Sequence, residues 1–268
     1  MDRKKTIRSL QEKKGNKEKI TMLTAYDYTM ASILDQAGVD AILVGDSLGM
    51  VVQGKDTTLE VSMDQMAYHC RCVAAGARSA LLVGDLPFLS YHISLEEGIR
   101  NAGRLVQEGG VHCVKLEGGR EMVPMVEAIL RAQIPVMGHI GLTPQSVNAL
   151  GGFKVQGREA ERAKALVEDA LALEAAGVFA LVLEAVPASL AREITGKLEI
   201  PVIGIGAGKD CDGQVLVVHD MLGLYADHTP KFVKRYAELG EAARNAVQSY
   251  VREVSSGAFP EERHSFKG

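Results

Sequence analysis

Eight short apolar runs recur along the chain from Ile20 onward. They are ITMLTA (20–25), AILVGD (41–46), ALLVGD (80–85), HCVKLE (112–117), PVMGHI (135–140), FALVLE (179–184), PVIGIG (201–206) and QVLVVH (214–219). The runs are near-continuous rather than alternating, which predicts strands buried on both faces, as a parallel sheet requires. Amphipathic segments at 28–37, 62–75, 94–108, 119–131 and 158–176 lie between them and predict helices. Several end in Gly just before the next strand, as in AGVDAILVG, GGVHCVKL and AGVFALVL. Glycine suits the left-handed position just past a helix. Eight repeated strand–helix units close into a (β/α)8 TIM barrel. An open doubly wound sheet is the rival, and GIGAG (204–208) resembles its glycine fingerprint. That motif follows the seventh run and lacks an acidic residue at the usual distance, so its support is weak.

The ends of the chain read differently. Residues 1–19 (MDRKKTIRSLQEKKGNKEK) predict a solvated basic helix that closes the bottom of the domain. Such a segment also suits contact with nucleic acid or membrane, but no nucleic-acid module is recognisable. Residues 230–254 carry a second helical pattern, and the polar tail SSGAFPEERHSFKG predicts an arm or a loose end. The expectation is a single (β/α)8-barrel domain over residues 1–268, with an N-terminal helix and a C-terminal helical extension.

Composition narrows the class. Of 268 residues 47% are apolar, and 30 basic residues face 34 acidic ones for a net charge of -4. No apolar run approaches the roughly 20 residues that span a bilayer, and the N-terminus lacks the apolar core of a secretory leader. A cytoplasmic protein with no membrane or nucleic-acid partner is expected. Cys70, Cys72, Cys113 and Cys211 are too few and too scattered for a disulfide framework. Cys70 and Cys72 stand two apart in a helical pattern, on different faces, which argues against a metal pair.

Barrel enzymes draw their catalytic groups from the carboxyl ends of the strands. That rule selects Asp46 and Ser47 after the second run, Asp85 after the third, Lys115 and Glu117 in the fourth, His139 in the fifth and Glu184 in the sixth. Charges that close five consecutive apolar strands need a reason, since an unpaired buried charge is costly. Asp46 and Asp85 are expected at equivalent ends of neighbouring strands, roughly 5 Å apart at the backbone. Carboxylates so placed repel unless a cation separates them. Glu117 joins this cluster, Lys115 two residues earlier on the same face supplies positive charge for an anionic substrate, and all-oxygen ligands favour Mg²⁺. A salt-bridged ring without metal is the alternative. Glu184, four strands round on the opposite wall, has apolar flanks that raise its proton affinity and suit it as a general base; the alternative is a cap on the helix that starts near Pro187. His139 is either a substrate contact or a satisfied core histidine. Ser47 is placed to bond a substrate carboxylate, and the loop 141–157 is the candidate lid.

These segments also carry a resemblance. GDSLGMVVQGKDTT (45–58), LLVGDLPF (81–88), VKLEGG (114–119), GHIGLTPQSV (138–147), LVLEAVP (181–187) and IPVIGIGAG (200–208) occur in order and resemble the ketopantoate hydroxymethyltransferase family over nearly the whole chain. The resemblance implies a Mg²⁺-dependent barrel that moves a one-carbon unit from 5,10-methylenetetrahydrofolate to 3-methyl-2-oxobutanoate, commonly as a homodecamer. It further implies Asp46 and Asp85 as metal ligands, with Glu117 in the metal's shell. Ser47 and Lys115 would hold the oxo acid, His139 would lie near it, and Glu184 would accept the proton. A 2-oxo-acid carboligase or lyase of the phosphoenolpyruvate mutase/isocitrate lyase kind is the rival enzyme, sharing barrel, metal and enolate but needing no folate. A barrel that only binds a metabolite is the non-catalytic alternative.

Overall fold

In this computed structural model residues 4–224 and 230–268 are described. They fall into two compact units, Met1–Val217 and Val218–Gly268.

The first unit is a closed parallel barrel in which each strand pairs with the next and the eighth returns to the first. Its strands are β1 (Ile20–Thr24), β2 (Ala41–Val44), β3 (Leu81–Asp85), β4 (Cys113–Glu117), β5 (Val136–Gly141), β6 (Ala180–Glu184), β7 (Val202–Ile205) and β8 (Gly213–Leu216). Each falls on or beside one of the eight apolar runs, so the barrel rather than the open sheet is the fold. The helices are α1 (Ile7–Gly15), α2 (Tyr28–Gln36), α3 (Leu48–Val51), α4 (Met63–Gly76), α5 (Leu95–Gln107), α6 (Val123–Arg131), α7 (Val147–Leu150), α8 (Ala160–Ala176) and α9 (Ala188–Lys197). Their starts are written locally. Asp27, Ser62 and Ser94 cap α2, α4 and α5, each accepting a backbone N–H of the first turn. At the other ends Gly38, Gly110 and Gly177 all take the expected positive φ.

Alternate strand residues point inward. Ile20, Met22, Ala41, Leu43, Leu81, Val83, Cys113, Met137, Ala180, Val182, Ile203 and Val215 form one buried cluster inside the barrel. Leu10 of α1, 1% exposed, belongs to the same cluster, so the basic leading segment closes the lower mouth as expected. Its first three residues lie outside the described ones. Lys13 and Lys14 clamp this helix to Asp40 and Asp212, at 2.7 and 2.8 Å.

The second unit contains α10 (Val218–Met221) and α11 (Leu239–Ser256). Within it the backbone N–H groups of Tyr236, Leu239 and Gly240 bond to the carbonyls of Met221, Leu222 and Gly223. The predicted strand QVLVVH stops at Leu216, because Val218 already begins a helical turn. The helix expected from residue 230 begins only at Leu239, and it leaves Val247, Tyr250, Val251 and Val254 exposed. Among the described residues no helix is long and apolar enough to cross a membrane. The cysteines are free, with Cys70 buried and Cys72 only partly so.

Candidate active site

The inward alternation changes character at the carboxyl end of the barrel. On β3 the inward series Leu81, Val83 ends in Asp85; on β4, Cys113 is followed by Lys115 and Glu117; on β5, Met137 by His139; on β6, Ala180 and Val182 by Glu184. The lower members are apolar plug and the upper members are ionisable. All of the latter line one cavity with Thr24, Asp46, Ser47 and Pro144. Every residue singled out in the sequence therefore arrives at one place.

Strand register decides which of them meet. Asp85 lies opposite Lys115 and Glu117 opposite His139. Lys115 Nζ accordingly stands 2.7 Å from Asp85 Oδ1. His139 reaches Glu117 Oε1 with Nδ1 at 3.4 Å and Glu184 Oε2 with Nε2 at 3.2 Å. Lys115 Nζ is also 3.2 Å from His139 Nδ1. That approach is a hydrogen bond from Lys115 to a neutral ring and a close contact of two cations with a protonated one, and the carboxylates on both sides favour the protonated form.

Asp46 departs from the expected symmetry. Val44 pairs with Gly84, so Gly45 rather than Asp46 stands level with Asp85. Asp46 lies beyond the end of β2, where its backbone N–H donates to Asp85 Oδ2 at 3.2 Å. The two aspartates still meet, through a one-residue stagger. Ser47 follows at the start of α3, and its hydroxyl shares a 2.8 Å hydrogen bond with Tyr26 Oη.

Electrostatics mark the site as short of positive charge. Burial, then Asp85 and Glu117, push the Asp46 carboxyl well above the usual range. Burial raises Asp85 as well, against the pull of Lys115. Burial opposes the charge on Lys115, but Asp85, Glu117 and Asp46 hold it protonated and raise its pKa. For His139, burial and Lys115 favour the neutral ring, yet the hydrogen bonds with Glu117 and Glu184 win and push the pKa up to about 9. Glu117 is kept below its ordinary value: burial raises it, but His139, Lys115 and the Gln145 N–H outweigh that. Four carboxyl groups (Asp46, Asp85, Glu117, Glu184) thus share one cavity with two basic side chains (Lys115, His139).

Glu184 is 15% exposed at its side chain. The capping alternative is not taken, since α9 starts from Pro187 without a side-chain cap. The expected apolar surround is interrupted by His139, a basic group on the neighbouring strand 3.2 Å away. Ala185 follows with φ 47°, turning the chain sharply after Glu184.

Two residues at the site were not foreseen. Gln145 Nε2 donates to Asp46 Oδ2 at 2.8 Å, while its backbone N–H donates to Glu117 Oε2 at 3.0 Å. Tyr91 Oη, buried behind them, lies 2.7 Å from Gln145 Oε1. Nothing in the local pattern marks either one; for Gln145 the one signal was its place in GLTPQS, which begins two residues after His139.

Among the described residues, no three His, Cys, Asp or Glu side chains are arranged to hold an ion by themselves. The donor set still fits a hard divalent cation. Asp46 and Asp85 offer only oxygens, both are buried, and burial with acidic neighbours raises both, as a site short of positive charge would. Mg²⁺ commonly takes one or two carboxylates and keeps several waters, so the pair suffices.

A closed parallel barrel whose upper mouth holds buried acids, a lysine and a histidine defines a (β/α)8-barrel enzyme. Phosphonopyruvate hydrolase, solved in complex with oxalate and Mg²⁺, shares this architecture, with a TM-score of 0.62 and 14% identity over 97% of this chain and 93% of that one. At such identity the likeness speaks for the fold alone. Residues 4–262 match the family model of ketopantoate hydroxymethyltransferase. The 3-methyl-2-oxobutanoate hydroxymethyltransferase of Clostridium beijerinckii is 57% identical over 98% of this chain and 96% of its own. That of Syntrophomonas wolfei is 59% identical over 97% and 95%. The chain belongs to the ketopantoate hydroxymethyltransferase family, and is a hydroxymethyltransferase.

Proposed function

We propose that this enzyme transfers a hydroxymethyl group from 5,10-methylenetetrahydrofolate to C3 of 3-methyl-2-oxobutanoate, giving 2-dehydropantoate for pantothenate and coenzyme A synthesis. The observation that carries the reading is the acidic cluster at the mouth, where four carboxyl groups share one cavity with Lys115 and His139. Asp46 and Asp85 would hold Mg²⁺, with Glu117 behind them in its shell. Bound there, the ion supplies Lewis acidity to the substrate carbonyl and offsets charge that develops on its oxygen.

The chain's own groups do the rest. Lys115 and Ser47 bind the oxo acid, Lys115 through its fixed charge and Ser47 through its hydroxyl. Glu184 stands four strands round from β2, so it faces the far carbon of a substrate held on the aspartate side. It takes the C3 proton, leaving an enolate. His139, 3.2 Å away, fixes the direction of that carboxylate. The enolate carbon then bonds to the one-carbon unit, water supplies the hydroxyl, and tetrahydrofolate leaves. The folate is expected against loops above β1, β7 and β8. A cytoplasmic homodecamer is the expected assembly, on family resemblance, and sedimentation of the purified chain tests it.

Proton-exchange NMR on 3-methyl-2-oxobutanoate in D₂O tests the chemistry. C3 exchange should require Mg²⁺ and stop with EDTA, and hydroxymethyl product should form only when methylenetetrahydrofolate is added. Exchange that survives complete metal removal defeats the reading. Product formed without folate would favour the lyase-type alternative.

A further inference from the structure

Gln145 sits in the 3-10 turn Pro144–Ser146 after β5, outside the set of ionisable residues that the chemistry needs. Its side chain is nevertheless fully engaged. Nε2 donates to Asp46 Oδ2 at 2.8 Å and to the Leu86 carbonyl at 2.9 Å, and Oε1 accepts from Tyr91 Oη at 2.7 Å. The amide can face only this way: turned over, its oxygen would oppose both a carboxylate and a carbonyl. The backbone N–H of the same residue donates to Glu117 Oε2 at 3.0 Å. Tyr91 Oη in turn accepts the Glu117 backbone N–H at 3.1 Å, and of the two acceptors for its one proton, Gln145 Oε1 at 2.7 Å is nearer than the Glu117 carbonyl at 3.2 Å. One residue from the β5 loop thereby orients carboxylates from the ends of β2 and β4, with a buried phenol locking it in place.

We infer that Gln145 is a positioning residue for the ion-binding carboxylates, with Tyr91 fixing its amide. The inference rests on the proposed ion site at Asp46 and Asp85. Asp46 has a rotatable carboxylate at the end of a strand, and beyond its staggered contact with Asp85 the Gln145 donor sets its direction. Outer partners that aim a ligand typically change metal affinity by about 10- to 100-fold when removed. The β5 loop, whose far end is the candidate lid, is therefore tied to the ion site at its base. Gln145 and the Leu142 N–H, bonded to the Glu184 carbonyl at 2.8 Å, pin that base.

The test uses Mn²⁺ as the probe, titrated by calorimetry into the parent, Gln145→Met and Tyr91→Phe, with melting temperatures and the electron paramagnetic resonance spectrum of the bound ion. Gln145→Met keeps the length and removes the donor. Its Mn²⁺ affinity should fall about 10- to 100-fold with an altered spectrum, and Tyr91→Phe should shift both in the same direction by less. A residue that only fills space would change the melting temperature and leave the spectrum alone. Parent-like affinity and spectrum in folded Gln145→Met overturns the inference. If that variant does not fold, a parent-like Tyr91→Phe overturns it equally. A parent that takes up no Mn²⁺ sinks the ion site itself, a distinct outcome.

Discussion

Glu184 and His139 share the decisive contact of the site, a 3.2 Å pairing across the β5–β6 edge. Neither is placed by its own neighbours in sequence; the register that sets Gly141 beside Glu184 does so. Gly141 has φ 94°, and a Cβ there would run into the Glu184 carbonyl oxygen, so only glycine lets the strands approach at this point. The Glu184→Gln substitution keeps the size and the contact with His139 while removing the base. C3 exchange should then fall by at least about 10²-fold, the usual scale for a lost general base. Oxo-acid and Mg²⁺ binding, read by calorimetry, should stay within a few-fold of the parent. Exchange near the parent rate would assign the proton to another group.

At the scale of elements, α1 is a plug more than a surface helix. Leu10 fills the lower end of the barrel core, while Lys13 reaches Asp40 at 2.7 Å. Leu10→Ala should cost about 2–5 kcal/mol in denaturant unfolding, the range for a large buried side chain cut to a methyl; a loss below 1 would mean the helix end detaches freely. Asp40 adds a pH term. Burial raises its pKa, but Lys13 and the Thr21 N–H and hydroxyl outweigh that and leave it lowered. A lowered folded-state value gives stability that is full above the unfolded pKa of about 3.9 and is lost as pH falls through the folded one. Asp40→Asn should therefore be less stable than the parent at neutral pH, with a shallower decline in unfolding midpoint below pH about 4. The parallel strands were legible because burial on both faces leaves an unbroken apolar run, and the site was legible because five consecutive runs carry ionisable residues at or just before their ends. The start of α11 at Leu239 was not, since residues 230–238 keep a helical composition without a cap. Nor was the stagger of Asp46, which depends on pairing between strands far apart in sequence. Gln145 and Tyr91 escaped for the same reason: their meaning lies in what the closed barrel brings to them.

For the whole molecule, the barrel gives its lower layers to apolar packing and concentrates opposed charges at the upper mouth. Such an arrangement is stable only if something offsets the acidic groups, and Lys115 and His139 do so in part, leaving Asp46 and Asp85 with raised pKa values. The remainder should appear as a measurable instability of the ion-free protein, because function and stability ask different things of the same buried carboxylates. Asp46→Asn tests this directly. The amide keeps an oxygen to accept from Gln145 Nε2 and removes one uncompensated charge. Without Mg²⁺ the variant should melt higher than the parent, at about 2–4 °C per kcal/mol for a chain of this size. The parent, in turn, should gain about 2.7 kcal/mol at an ion concentration a hundred times its dissociation constant, and the variant should lose that response. Calorimetric melting of both proteins with Mg²⁺ and with EDTA separates the two effects. A variant that melts below the ion-free parent would mean that the charges are already balanced within the chain, and the case for a divalent ion between Asp46 and Asp85 would lose its physical basis.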